Sequence, residues 1–381
     1  MNIFPSEKKL GFGLMRLPLT DPDDRGSVDM EMVKRLADIF LERGFTYFDT
    51  AWMYCRFRSE EAVREALSSR HPRESYTLAD KLHYLYMNEP ADRDRIFREQ
   101  LQKTGVDYFD YYLLHDVGSD AYKAYERLDC FRWLEEKKAQ GLVRHVGISF
   151  HDSADMLERI LTEHPELEFV QLQVNYLDWD NEGIQSRRCC ETARRHGKPI
   201  VVMEPVKGGA LAKVPASVER RFKDYAPEMS VPSWALRFAA GVEGVAMVLS
   251  GMSSIAQVEE NTAIMTDFRP LNEEEQRLVR EAAADINGDI AVPCTGCAYC
   301  TDGCPQSIPI PGIFGLYNND QRDGRDQKRT GAFGYYERLT LDGGKASECI
   351  GCGACESVCP QHLPVRELMK TVAARFEGKN N

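Results

Sequence analysis

Residues 29–49, DMEMVKRLADIFLERGFTYFD, read as a helix that stops at a glycine and passes into a short strand. Met32, Val33, Leu36 and Phe40 recur at the helical period and share one face. Asp29 is placed to cap the first turn, and Gly44 stands where such a helix ends. The aromatic run FTYFD at 45–49 then reads as strand. Outward from this unit the alternation continues, with strand-like runs at 10–17, 75–80, 108–115, 142–149, 168–176, 199–205 and 244–251. Between them lie amphipathic runs such as SADMLERILTEH at 153–164, where Met156, Leu157, Ile160 and Leu161 share a face behind the N-cap Ser153. Eight strands separated by helices predict a (β/α)8 TIM barrel, with a doubly wound open sheet as the alternative.

The chain has 381 residues, enough for a barrel and a smaller second domain. Its 43% hydrophobic and 28% charged content is that of a globular protein. A net charge of -12 argues against a nucleic-acid or anionic-membrane surface, which calls for clustered Lys and Arg. The N-terminus has no apolar run of signal-peptide length and no stretch reaches the roughly 20 apolar residues of a membrane span. The expectation is a cytoplasmic protein that acts on a small molecule.

Eight of the 12 cysteines fall in two runs, CTGCAYCTDGCP at 294–305 and CIGCGACESVCP at 349–360. Both have the form C-x2-C-x2-C-x3-C-P, the bacterial ferredoxin spacing, in which the fourth cysteine ligates the partner cluster. Two [4Fe–4S] clusters are implied, one on Cys294, Cys297, Cys300 and Cys359, the other on Cys349, Cys352, Cys355 and Cys304. Zinc is the competing reading, but it usually takes two separated C-x2-C pairs. The segment between the runs has no hairpin signal, so a helical ferredoxin-like module is expected. Cys55, Cys130, Cys189 and Cys190 belong to no motif and read as core or incidental residues. The boundaries expected are 1–270 for the barrel, 271–292 for a helical linker containing NEEEQRLVREAAADI, and 293–381 for the iron–sulfur domain.

Barrel enzymes draw their chemistry from the C-terminal ends of the strands. The polar residues there are Asp49, Tyr54, Lys81, His115, Ser149, His151, Gln171, Asn175 and Glu204. A phenol has a pKa of about 10, and a nearby ammonium favours the phenolate. Lys81 is placed to supply that charge to Tyr54, Asp49 to fix Lys81, and a neutral His115 to orient a substrate carbonyl. Such a set suits protonation of a carbonyl oxygen as hydride reaches carbon.

The stretches GFGLMRLP, FDTAWMYCRFRSEEAVREAL, DYFDYYLLH, GLVRHVGISFH, VQLQVNYLDWD, VVMEPVKGGALA and LSGMSSIAQVEEN together resemble the aldo/keto reductase family, and with the cysteine tail its branch bearing a two-cluster ferredoxin-type domain. The resemblance implies a nicotinamide cofactor across the barrel mouth and a catalytic tetrad of Asp49, Tyr54, Lys81 and His115. It also implies cofactor contacts from Met15, Arg16, Ser149, Gln171 and Met203, and at the adenosine end from Gly251, Ser253, Gln257 and Asn261. Met203 stands where many relatives carry an aromatic that stacks on the nicotinamide. The basic clamp that many relatives use for the 2′-phosphate is missing from these positions, so NADP(H) and NAD(H) both stay open, with Lys207 and Lys213 as substitutes.

The function expected is hydride transfer between NAD(P)H and a carbonyl or alcohol substrate, with two clusters for electron transfer or structure. The alternative is a nicotinamide-binding redox sensor or partner-docking protein with little turnover. A cluster passes one electron where hydride carries two, so a ferredoxin- or flavodoxin-like redox partner is expected; a flavin is compatible, but no flavin motif is present. Trp52, Phe57, His83, Tyr84, Tyr86 and Trp179 suggest an aromatic pocket wall for an apolar or ring-bearing carbonyl compound, or else ordinary packing.

Overall fold

The computed structural model describes residues 3–378 apart from 5–7, 23, 182–183, 325–328, 331 and 342. Part of the N-terminal stretch read for a leader, and part of the segment between the cysteine runs, therefore lie outside the described residues. Eight strands form a closed parallel barrel in chain order: β1 (Leu10–Gly13), β2 (Tyr47–Asp49), β3 (Thr77–His83), β4 (Phe109–Val117), β5 (Val143–Phe150), β6 (Phe169–Gln173), β7 (Ile200–Met203) and β8 (Val245–Gly251). Parallel neighbours need crossover connections, and the amphipathic helices supply them.

The caps act as the sequence predicts. Asp29 Oδ1 accepts from the Met32 N–H at 3.0 Å at the start of helix Met30–Glu42, and Ser153 Oγ accepts from the Met156 N–H at 3.3 Å before helix Ala154–Glu163. Gly44 follows the first of these at φ 77°, a left-handed ending that glycine adopts without a Cβ penalty. Strand limits differ from expectation at several places that bear on the site: β4 runs past His115 to Val117, and β6 and β7 stop at Gln173 and Met203, short of Asn175 and Glu204. β1 stops at Gly13, so Met15 and Arg16 lie in the turn beyond it, and β3 runs on to His83, so Lys81 lies within the strand.

Alternation along the strands divides the core into two layers. Tyr47, Ala79, Tyr111, Leu113, Phe169, Val201 and Met247 fill the barrel interior, where Phe4 stacks on Tyr111 with ring centroids 4.9 Å apart. The opposite faces of the strands, with Phe12, Phe48 and Leu114, pack against helix residues such as Leu36 and Phe40. Fully burying one such side chain stabilises the fold by about 1.5–3 kcal/mol. At Gly147 a Cβ would fall 2.7 Å from the Phe169 carbonyl oxygen, so a larger residue would push β5 away from β6.

The chain divides into two compact units. The barrel unit takes in Met1–Asn181, Gln185–Pro205 and Pro232–Glu274; the second is chiefly Val206–Val231 and Glu275–Asn381. Described residues of the cysteine-rich part contain helices Ile310–Gly324, Ala332–Leu339 and Val365–Phe376 and no strand. Their core joins Ile313, Phe314, Phe333, Tyr336, Met369, Val372 and Phe376, with Tyr336 stacked on Phe376 at 4.6 Å. Among the described residues no helix is long and apolar enough to cross a membrane.

Candidate active site and cysteine cradles

Strand ends bring the four expected side chains together. Lys81 Nζ, fully buried, donates to Asp49 Oδ1 at 2.5 Å and to the Thr50 carbonyl at 2.7 Å. Burial pushes the Asp49 carboxyl above its ordinary value, against the opposing pull of Lys81 and of Gln171, whose Nε2 donates to Asp49 Oδ2 at 3.2 Å. Tyr54 opens a short helical turn in which Cys55, Arg56 and Phe57 all have left-handed φ. This turn sets the Tyr54 ring centroid 5.0 Å from Lys81 Nζ and 5.6 Å from the His115 ring. Burial, then the charges of His83, Lys81 and His151, hold His115 well below the usual imidazole range, so it is neutral. Its Nδ1 is buried with no hydrogen-bond partner among the described residues.

The expected cofactor residues ring the same strand ends. Ser149 is fully buried, and its hydroxyl has a 3.9 Å contact with Met203 Sδ. Arg16 pairs with Glu204 at 3.1 Å, leaving Glu204 Oε2 buried and without a hydrogen-bond partner among the described residues. Gly251 ends β8, and Ser253 and Gln257 surround the start of helix Ile255–Thr266, where the Ser253 N–H donates to Gln257 Oε1 at 2.8 Å. Asn261 is a strut of that helix, donating to Ser250 Oγ of β8 at 3.1 Å. Lys207 is buried in the second unit, its Nζ donating to Gln361 Oε1 at 3.0 Å.

The eight motif cysteines border two separate cavities of the second unit. Cys294, Cys297, Cys300 and Cys359, with Phe314 and Gln361, line an empty volume of about 330 Å³. Cys349, Cys352, Cys355 and Cys304, with Arg366 and Met369, line another of about 370 Å³. Ile310 and Val365 border both cavities and so stand between them. In each cradle the fourth thiol comes from the other run. The remaining cysteines are no part of this: Cys130 and Cys189 are buried, and burial pushes their thiols up to about 12.

Residues 9–284 match the Aldo/keto reductase family, and residues 293–363 match a 4Fe-4S dicluster domain. The chain belongs to the aldo/keto reductase family. It is 24% identical over 282 residues to the uncharacterized oxidoreductase YqkF of Bacillus subtilis, covering 66% of this chain and 88% of that one. To the methylglyoxal reductase YeaE of Escherichia coli it is 35% identical over 118 residues, 31% of this chain and 39% of the other. The aldo-keto reductase AKR11C1 of Bacillus halodurans in its holo form superposes with a TM-score of 0.58 at 25% identity, over 72% of this chain and 91% of that one. This aldo/keto reductase thus adds a helical iron–sulfur domain to an oxidoreductase barrel.

Sequence reasoning missed two features of this site. Asp80, one residue before Lys81, is fully buried and accepts from the Lys81 N–H at 2.8 Å and from Gln100 Nε2 at 2.9 Å. Asp116, directly after His115, lies 3.8 Å from His83 Nε2. A carboxylate beside a functional residue was visible in both cases, but nothing in the sequence shows where it points. The aromatic wall forms only in part. Trp52, Phe57 and Tyr86 make edge contacts in series, and Tyr84 stacks on His83, whereas Trp179 packs on Phe238.

Proposed function

We propose that the barrel interconverts an aldehyde or ketone with its alcohol using NADP(H) or NAD(H), and that the second unit carries two [4Fe–4S] clusters. The observation that carries the barrel reading is the buried Asp49–Lys81 pair set under Tyr54, with a neutral His115 beside the phenol ring. The fit of a nicotinamide is supported by polar groups at the strand ends that the protein leaves poorly satisfied, namely the Ser149 hydroxyl and Glu204 Oε2. Ser149 and Gln171 would hold its carboxamide, and Arg16, Ser253 and Gln257 its dinucleotide end, where the start of helix Ile255–Thr266 favours anionic groups.

When bound, the nicotinamide supplies or accepts the hydride. Tyr54 gives its proton to the carbonyl oxygen, and Lys81 stabilises the phenolate left behind. Asp49 fixes the lysine, and His115, neutral because it is buried, donates a hydrogen bond that orients the carbonyl. Replacing Tyr54 by Phe is expected to lower turnover of an aldehyde panel by about 10²–10⁴-fold, with NADPH binding retained by fluorescence titration. Unchanged turnover would remove Tyr54 from the role of acid.

The cradles suit a cluster better than a single ion, because four thiolates around a cube leave an interior to be filled. Among the described residues no three His, Cys, Asp or Glu converge closely enough for one ion. Cys352 is exposed next to Ile350, which is 63% exposed, so the second cradle presents an edge to solvent. That edge suits one-electron exchange with a ferredoxin- or flavodoxin-like protein.

A further inference from the structure

β4 changes face just where it reaches the site. Leu113 points into the barrel and Leu114 into the helix layer, so simple alternation would send Asp116 outward beside the helices. Instead the β4–β5 register shifts between Leu114 and Val117, and Asp116 takes a left-handed φ of 54°. Bulges next to sites re-aim a side chain, and a non-glycine left-handed residue costs free energy that the surrounding structure must offset. Val117 then returns to the outer layer, so the irregularity serves the two residues His115 and Asp116.

Among the described residues no Lys or Arg pairs with the re-aimed carboxyl. Burial lifts it to about 7, and its near neighbour is His83 Nε2 at 3.8 Å, too far for a hydrogen bond. His83 Nδ1 accepts from the Leu85 N–H at 3.2 Å, and burial lowers this imidazole to about 3, so the ring is neutral with its proton on Nε2. A donor and an acceptor therefore stand side by side, neither satisfied by the other. Both are at the reacting group: the His83 and His115 rings are 5.1 Å apart, and His115 is 5.6 Å from Tyr54.

We propose that Asp116 and His83 form a subsite for a hydroxyl group on the carbon next to the reacting carbonyl, so that the protein prefers hydroxylated, sugar-like aldehydes and ketones to apolar ones. The hydroxyl donates to the Asp116 carboxylate and accepts from His83 Nε2. This inference rests on the carbonyl-reductase reading and departs from the apolar or ring-bearing substrate suggested by the ring content of the sequence. A buried group built to bond a hydroxyl is left unpaired by the analogue lacking it, which is the basis of strong discrimination.

The test compares kcat/KM with NADPH for glyceraldehyde and butyraldehyde, in the wild type and in Asp116→Gly and Asp116→Asn. Both replacements accept the left-handed backbone, and NADPH binding checks that each variant is folded. The wild type should favour glyceraldehyde. Asp116→Gly should lower the glyceraldehyde-to-butyraldehyde ratio about 10- to 100-fold, chiefly through KM, with Asp116→Asn between the two. A ratio that does not move overturns the subsite and leaves the reductase reading standing. A wild type that binds NADPH and consumes neither aldehyde overturns both.

Discussion

At the scale of residues, Lys81 is backed by a carboxyl pair that the proposed chemistry does not use. Asp80 points away from Lys81 on β3 and meets Gln100, which in turn accepts from the Tyr112 hydroxyl. Glu60, also fully buried, has Oε2 3.3 Å from Lys103 Nζ. Burial raises Glu60 to about 7 against the pull of Lys103, and burial followed by the Glu60 charge raises Asp80 well above the carboxylate range. From about pH 4.5 to 7 the folded protein therefore holds a proton that the unfolded chain has released, so stability falls as pH rises through this window. Replacing Glu60 by Gln should flatten that fall in melting temperatures measured from pH 5 to 8; parallel curves would show that Glu60 is not its source. That Asp49, Tyr54, Lys81 and His115 lie together was legible because strand ends can be counted and a Lys, a Tyr and an Asp near one mouth have a chemical logic. Asp80 and Asp116 were not, because their roles depend on which way a side chain leaves its strand.

At the scale of elements, the caps, the eight strands and the helical tail follow from periodicity and from the residues that bound each run. The β4 bulge does not, since a one-residue shift leaves no mark in a hydrophobic pattern. Pairings inside the tail were equally hidden. Arg375 of helix Val365–Phe376 makes two bonds, of 2.6 and 2.8 Å, to Asp320 of helix Ile310–Gly324. Burial alone would raise the Asp320 carboxyl; Arg375 and Thr330 outweigh it and hold the carboxyl below its ordinary value. Removing one partner leaves the other charge buried, so Arg375→Ala should destabilise the helical unit by about 3–5 kcal/mol. Bleaching of the cluster absorbance on heating should then begin at a lower temperature than in the wild type; an unshifted onset would assign the pair no role in holding the two helices together.

At the scale of the whole molecule, two chemistries share one chain. In the function proposed above the barrel carries a two-electron transfer to carbon, and the cysteine cradles hold one-electron carriers. The spacing within each cysteine run pointed to the second chemistry, and the exchange of Cys304 and Cys359 came from the two-cluster pattern; each set of four lines one cavity. That Val206–Val231 groups with the C-terminal unit was not legible, since no change of composition marks it. The proposed function requires that hydride pass directly to a carbonyl carbon in the barrel. The most direct measurement is a single turnover without oxygen, using the iron-loaded protein, NADPH dideuterated at the nicotinamide C4, and glyceraldehyde. Mass spectrometry follows the product and electron paramagnetic resonance the clusters. One deuterium is expected on the carbinol carbon, lost together with turnover in Tyr54→Phe. Oxidation of the NADPH with reduced-cluster signals and no deuterated alcohol would contradict the proposed function.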